Sequence, residues 1–339
     1  MNYKFSEQDD GFQAIRFNGQ RLQLLDQRRL PAEEVWLDVN SADQAGQAIA
    51  DLVVRGAPAI GITAAYAAVL AARQRDGDVA GWQADMAQLE QARPTAVNLS
   101  WAVGRMCRQV EQSGRLDPDA LAALALSIHR DDIAANRRMA TLGSELIEPG
   151  AGVLTHCNTG SLATGGIGTA LGVIVAGARA GRIAQVFADE TRPWLQGSRL
   201  TAWELARAGV DAKVVVEGAA GALMASGQVQ WIITGADRIT ARGDVANKIG
   251  TYNLAVLARH HGLRFMVVAP STTLDPDLES GHDIAIEQRD PAEIWRAAGL
   301  ETAPPGGAAW NPVFDITPSE LVDVIVTEQG VFRPPYRFS

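Results

Sequence analysis

A chain of 339 residues is long enough for two domains or one large one, and 47% apolar with 20% charged residues is the balance of a soluble globular protein. A net charge of −9 without any Lys/Arg cluster argues against a nucleic-acid footprint. Two cysteines, Cys107 and Cys157, cannot make a disulfide framework or a thiolate metal site. The start, MNYKFSEQDDGFQAIRF, has no basic n-region and no apolar core, so no signal peptide is expected and the cytoplasm is the expected location.

Residues 12–40 hold short alternating segments with turn signals and predict a small β-sheet. Helical patterns follow over 42–54, 58–73, 79–91, 98–112 and 117–146. The stretch 57–72 carries no charge, but it is too short for a membrane span and is interrupted by Pro58 and Gly61, so it reads as a buried helix. The uncharged stretch 149–178 is long enough to span, yet its first half is full of Gly, Thr, Ser, His and Asn. From there apolar strand-like runs at 152–154, 185–188, 212–216, 230–234, 265–269 and 322–327 alternate with helical patterns at 168–178, 198–208, 218–226, 249–261 and 291–298. Continuous apolar strands alternating with helices predict a Rossmann-like parallel sheet covered on both faces. The expected fold is therefore α/β: an N-terminal, mainly helical domain with a short β-sheet (1–125) and a C-terminal Rossmann-like domain (126–339). Residues 301–311 form a Pro/Gly-rich loop.

Polar residues gather where the predicted strands end: His156, Cys157 and Asn158; then Asp189, Glu190, Thr191, Arg192 and Gln196; then Glu217; then Asp237 and Arg238; then Ser271, Thr272 and Thr273. In open α/β sheets ligands bind at the carboxyl ends of the strands, so this row describes one polar cleft. Cys157 at a strand end can transfer protons or attack a substrate, although a lone cysteine more often only fills space. Asp237 among apolar walls can act as a general acid; a cap or an ion pair with Arg238 is the plainer alternative. Asn247-Lys248 stands just as a helix begins, where Asn is a favoured N-cap and a helix N-terminus beside a Lys attracts anions. Arg55-Gly56-Ala57-Pro58 repeats the arrangement, with Pro58 suited to a first helical turn and Gly56 to close backbone approach. Arg93 precedes another helix. Each alone reads most simply as a solvated cation near a cap; together they point to a phosphorylated substrate held between the domains. Gly166-Ile167-Gly168 lacks the third glycine of a dinucleotide fingerprint, Leu171 standing in its place. The five histidines lack metal-ligand spacing, and His260-His261 fits the C-terminal end of a helix dipole.

The motifs RGAPAIG (55–61), RPTAVNL (93–99), HCNTGSLAT (156–164), DETRPWLQGSRLT (189–201), GADRI (235–239), ANKIGT (246–251) and NPVFDITP (311–318) follow one another along nearly the whole chain. As a set they resemble the methylthioribose-1-phosphate isomerases, aldose–ketose isomerases of methionine salvage related to the α, β and δ subunits of translation initiation factor 2B. The resemblance implies catalytic roles for Cys157 and Asp237, and substrate contacts at Arg55, Gly56, Ala57, Arg93, Gln196, Asn247 and Lys248. It implies no metal or nicotinamide cofactor, a small phosphorylated sugar as ligand, and a two-fold homodimer paired through the C-terminal domains. The related translation-factor subunits generally lack the Cys/Asp pairing. Two alternatives stay open: an isomerase of ribose 1,5-bisphosphate or 5-deoxyribose 1-phosphate, and a non-catalytic regulatory subunit that binds a sugar phosphate or nucleotide.

Overall fold

The computed structural model describes residues 11–93, 96–297, 300–302 and 308–338. The first ten residues, Pro94 and Thr95 of the second motif, Ala298 at the end of the last predicted helix, and 303–307 of the Pro/Gly-rich loop lie outside them. The chain forms two compact units. One holds the described residues up to Arg137 together with Thr159–Gly168; the other holds Arg138–Asn158 and the described residues from Thr169 onward.

In the first unit β1 (Ile15–Phe17), β2 (Leu22–Leu25) and β3 (Trp36–Val39) pair antiparallel in that order. Helices α1 (Ala42–Ala50), α2 (Ala57–Arg75), α3 (Val79–Glu90), α4 (Val97–Ser113) and α5 (Pro118–Glu145) follow. Ser41 caps α1 by accepting from the Gln44 N–H, and Asp78 caps α3 by accepting from Gly81 N–H, so the chain enters these helices at side chains that satisfy orphan donors. Up to Ala72 every residue of α2 except Pro58 is buried. A helix covered on all sides needs no polar face, which accounts for its unbroken apolar sequence. The change of unit falls inside α5, between Arg137 and Arg138.

The second unit continues with β4 (Ala151–Thr155), α6 (Ala170–Arg179), β5 (Ile183–Asp189), α7 (Ala202–Arg207), β6 (Ala212–Val215), α8 (Ala220–Ala225) and β7 (Trp231–Thr234). Then come β8 (Arg238–Thr240), β9 (Val245–Lys248), α9 (Thr251–His261), β10 (Arg264–Val268), β11 (Leu274–Asp275), α10 (Ala292–Trp295), β12 (Arg296–Ala297), β13 (Leu300–Glu301), β14 (Phe314–Thr317), β15 (Val324–Thr327) and β16 (Gly330–Phe332). The main sheet runs β16-β15-β10-β7-β4-β5-β6, parallel except for the edge strand β16. From β4 the chain winds outward through β5 and β6, then returns to the other side of β4 with β7, β10 and β15. The order therefore reverses between β4 and β7, the place where a doubly wound sheet opens a crevice at its carboxyl end. Thr155 locks the two strands together there, its Oγ1 donating to the Ile233 carbonyl at 2.8 Å.

Three sequence expectations change. Asn247 and Lys248 do not cap a helix; they lie in β9, inside a second sheet of order β11-β8-β9-β14, and Gly250, at φ 105°, caps α9. The helix expected at 291–298 is a single turn followed by the β12–β13 hairpin. The polar turn after Cys157 is not a simple strand-to-helix connection, because Thr159–Gly168 folds into the first unit with Gly160 bridging Gly168. Among the described residues no helix is long and apolar enough to cross a membrane.

Candidate active site

Cys157 and Asp237 stand just past the ends of β4 and β7, on either side of the strand-order reversal. Cys157 is buried and left-handed at φ 63°, a conformation costly for a side chain that is not glycine. Two threonines hold it: its N–H donates to Thr191 Oγ1 (2.9 Å) and its carbonyl accepts from Thr201 Oγ1 (2.6 Å). Thr201 closes a π-helical turn, Gly197–Thr201, that leads into α7. Gly197 permits that turn, since a Cβ there would lie 1.6 Å from the Asp189 carbonyl oxygen. Asp237 is half-buried, and its N–H donates to the Ala246 carbonyl of β9 at 2.9 Å. Arg238 faces Asp275 at 3.6 Å.

Beside Cys157 lies a buried ionic cluster. His156 is fully buried; its Nδ1 meets the Asp189 carboxylate at 2.8 and 3.0 Å, and its Nε2 meets the Ile249 carbonyl at 2.8 Å. Burial disfavours the imidazolium, but the charge and hydrogen bond of Asp189, with Cys157 and Glu217 adding to them, outweigh it and push the pKa up to about 10. Glu217 is raised by burial, although it accepts from the Arg192 N–H at 2.8 Å. Burial likewise pushes Asp315 up to about 6, against the N–H groups of Gly250 and Tyr252 that it accepts at 2.7 and 3.1 Å. Gly250 is required at this junction, because a Cβ would stand 2.6 Å from Glu217 Oε1 and 2.8 Å from the His156 ring. Sequence reasoning placed His156, Asp189, Thr191 and Glu217 at the strand ends without a role; Thr201 and Asp315 appeared only inside motifs.

The expected binding residues divide between the units. In the second unit Gln196 is buried at the head of the π turn, and its Oε1 has no hydrogen-bond partner among the described residues. Asn247 Nδ2 donates to Thr251 Oγ1 (2.9 Å), and the buried Lys248 Nζ donates to the Val313 carbonyl (3.1 Å) and lies 5.3 Å from the Phe314 ring centre. In the first unit Arg55 is buried and Gly56, at φ 95°, caps α2, with Ala57 and Pro58 in its first turn. A Cβ on Gly56 would fall 2.6–2.8 Å from Ala163, so glycine lets the helix start lie against the 159–168 loop. Arg93 is half-buried ahead of α4. His260 and His261 occupy the last turn of α9. Among the described residues no group of three or more His, Cys, Asp and Glu is placed to hold a metal ion.

The sequence from 53 to 334 matches the model of the initiation factor 2 subunit family. A methylthioribose-1-phosphate isomerase of Thioalkalivibrio sulfidiphilus is 56% identical over 332 residues, 97% of this chain and 95% of that protein. The crystal structure of 5-methylthioribose 1-phosphate isomerase from Pyrococcus horikoshii OT3 superposes with a TM-score of 0.90 at 39% identity, covering 99% of this chain and 97% of that one. A structure named as the delta subunit of translation initiation factor eIF-2B, from A. fulgidus, gives a TM-score of 0.84 at 38% identity, covering 96% and 97%. The chain belongs to the initiation factor 2 subunit family, and stands within it among the methylthioribose-1-phosphate isomerases.

Proposed function

We propose that the chain is an aldose–ketose isomerase that converts 5-methylthioribose 1-phosphate to 5-methylthioribulose 1-phosphate in methionine salvage. The observation that carries the reading is a thiol and a carboxyl group at the ends of the two strands where the sheet order reverses, in a chain similar along its length to proteins of that name. A furanose phosphorylated at its anomeric carbon has no free aldehyde, so the ring must open and hydrogen must move between C2 and C1 while the phosphate stays attached. One group must exchange protons with sugar oxygens and another must handle the carbon-bound hydrogen, away from water. We assign these tasks to Asp237 and Cys157. Gln196 offers a buried, unpaired acceptor for a sugar hydroxyl. Lys248, Asn247, Arg55, Arg93 and the α2 start at Gly56-Ala57 are assigned to substrate and phosphate contacts, on the strength of their charge and the anion affinity of helix N-termini.

Incubating the purified protein with methylthioribose 1-phosphate and following the sugar by NMR is expected to yield the ketose phosphate. Recovery of unchanged aldose would reject the reading and favour the regulatory alternative, to which the translation-factor likeness belongs. Turnover of ribose 1,5-bisphosphate or 5-deoxyribose 1-phosphate in preference would move the substrate but keep the reaction.

A two-fold homodimer is the proposed assembly, the commonest closed oligomer and one consistent with the family resemblance. Sedimentation equilibrium at micromolar concentration is expected to give twice the chain mass; a fully active monomer would remove the proposal. Both cysteines are free, which suits the reducing cytoplasm proposed as the location. Recovery of the activity in a periplasmic or membrane fraction would contradict it.

A further inference from the structure

The isomerase reading leaves a fully buried pair of ionisable side chains, His156 and Asp189, without a task. His156 has two ring nitrogens, and both face acceptors: the Asp189 carboxylate on one side and the Ile249 carbonyl on the other. A carbonyl oxygen cannot donate, and neither can a carboxylate. With Asp189 ionised, both hydrogen bonds exist together only if both nitrogens carry protons. Opposite a carboxylate, a neutral imidazole would turn a bare nitrogen toward one of the two acceptors and lose that contact.

The chain of contacts continues to the thiol. Thr191 Oγ1 accepts the Cys157 N–H, so its single proton must go elsewhere; Asp189 Oδ1, at 2.5 Å, is the nearest acceptor. Asp189 is thereby shared between an imidazolium and a hydroxyl, and the hydroxyl is held in the orientation that receives the Cys157 N–H. We propose that His156 is the positioning residue for Cys157: a doubly protonated imidazolium that ties the end of β4 to the end of β5 and to the turn ahead of α9, and that through Asp189 and Thr191 keeps Cys157 in its left-handed conformation. The same ring anchors Ile249, the residue after Lys248, so one charge registers both the thiol and the lysine strand. The charged and titratable groups about the ring are Asp189 on β5, Glu217 beyond β6, Asp315 on β14 and Cys157 itself, each of them acidic. They favour the protonated ring, in agreement with its raised pKa. The inference rests on the isomerase reading for its kinetic consequence, and on the hydrogen-bond geometry together with the acidic groups around the ring for the charge.

Two measurements test it on the full chain. In ¹⁵N-histidine NMR at pH 8, one histidine is expected with both ring nitrogens protonated, and its signals vanish in His156→Asn. A neutral tautomer for His156 at that pH overturns the proposal. In kinetics, Thr191→Val keeps the side-chain shape but deletes the hydroxyl link; it is expected to lower kcat on the order of 10²-fold, as a misplaced reacting group does, with KM within about two-fold. Thr191→Ser restores the link and is expected to recover most of kcat, which a purely structural role for the threonine methyl would not allow. Native kcat in Thr191→Val, or equal losses in Thr191→Val and Thr191→Ser, overturns the proposal. The NMR measurement needs no substrate, so a parent protein that shows the doubly protonated ring but leaves methylthioribose 1-phosphate unchanged counts against the function and not against the charged clamp.

Discussion

Replacing Cys157 by Ser, or Asp237 by Asn, is expected to lower kcat by roughly 10²-fold or more, the usual weight of a positioned acid or base. Both changes keep side-chain volume nearly constant and leave the backbone contacts of each residue in place: Cys157 to Thr191 and Thr201, Asp237 to Ala246. The loss therefore belongs in the chemical step. Ser is far harder to ionise than a thiol, and Asn cannot gain or lose a proton, so neither substitute can take over the proton traffic that ring opening and hydrogen transfer require. Product binding, followed by isothermal titration calorimetry, is expected to stay within about three-fold, because the cationic groups assigned to the phosphate are untouched. A variant with near-native kcat would strip that residue of its catalytic role. Loss of binding together with kcat would instead show that the residue organises the site.

Much of this arrangement is legible in the sequence. Strands β4 and β7 are covered on both faces, so they appear in the sequence as apolar runs, and the polar residues immediately after them stand out. That contrast singled out Cys157 and Asp237. Strand β9 hid because its four residues, Val-Ala-Asn-Lys, are all buried while half of them are polar. No hydropathy pattern marks such a strand, and the following Gly250 looked like part of a helix start. The π turn at Gly197–Thr201 was equally silent, since the close approach of Gly197 to the Asp189 carbonyl that it accommodates exists only in the folded chain. The charge on His156 depends on Ile249, 93 residues away, and on Asp189, 33 residues away. A sequence reveals that a histidine follows a strand; only the folded chain reveals that both its nitrogens meet acceptors.

Asp189→Asn is expected to destabilise the protein by about 3–5 kcal/mol at pH 7, the usual cost of removing one partner from a buried ion pair. The change removes the anion that compensates a buried imidazolium, and it replaces the acceptor that orients Thr191 with a weaker, uncharged one. Its pH dependence makes the assignment specific. His156 holds its proton in the folded state up to about pH 10, whereas the free side chain loses it near 6.5. The folded protein therefore binds the extra proton between those values. The stabilisation is complete below about pH 6.5, declines by roughly 1.4 kcal/mol per pH unit above it, and is gone once the folded state also titrates near pH 10. Asp315, raised from 3.8 to about 6, acts in the same direction but in an acidic window. Burial also raises the Cys107 thiol above its usual 9.0, which adds a like-signed slope at the alkaline end and is removed by working in a Cys107→Ser background. In that background, urea midpoints measured at pH 7, 8 and 9 are expected to fall steadily for the parent. They are expected to change much less for Asp189→Asn, whose His156 has lost the anion that kept it charged. A parent whose stability is flat over this range would mean that His156 is neutral in the folded state, and the buried pair would have to be redrawn as a hydrogen bond between uncharged groups.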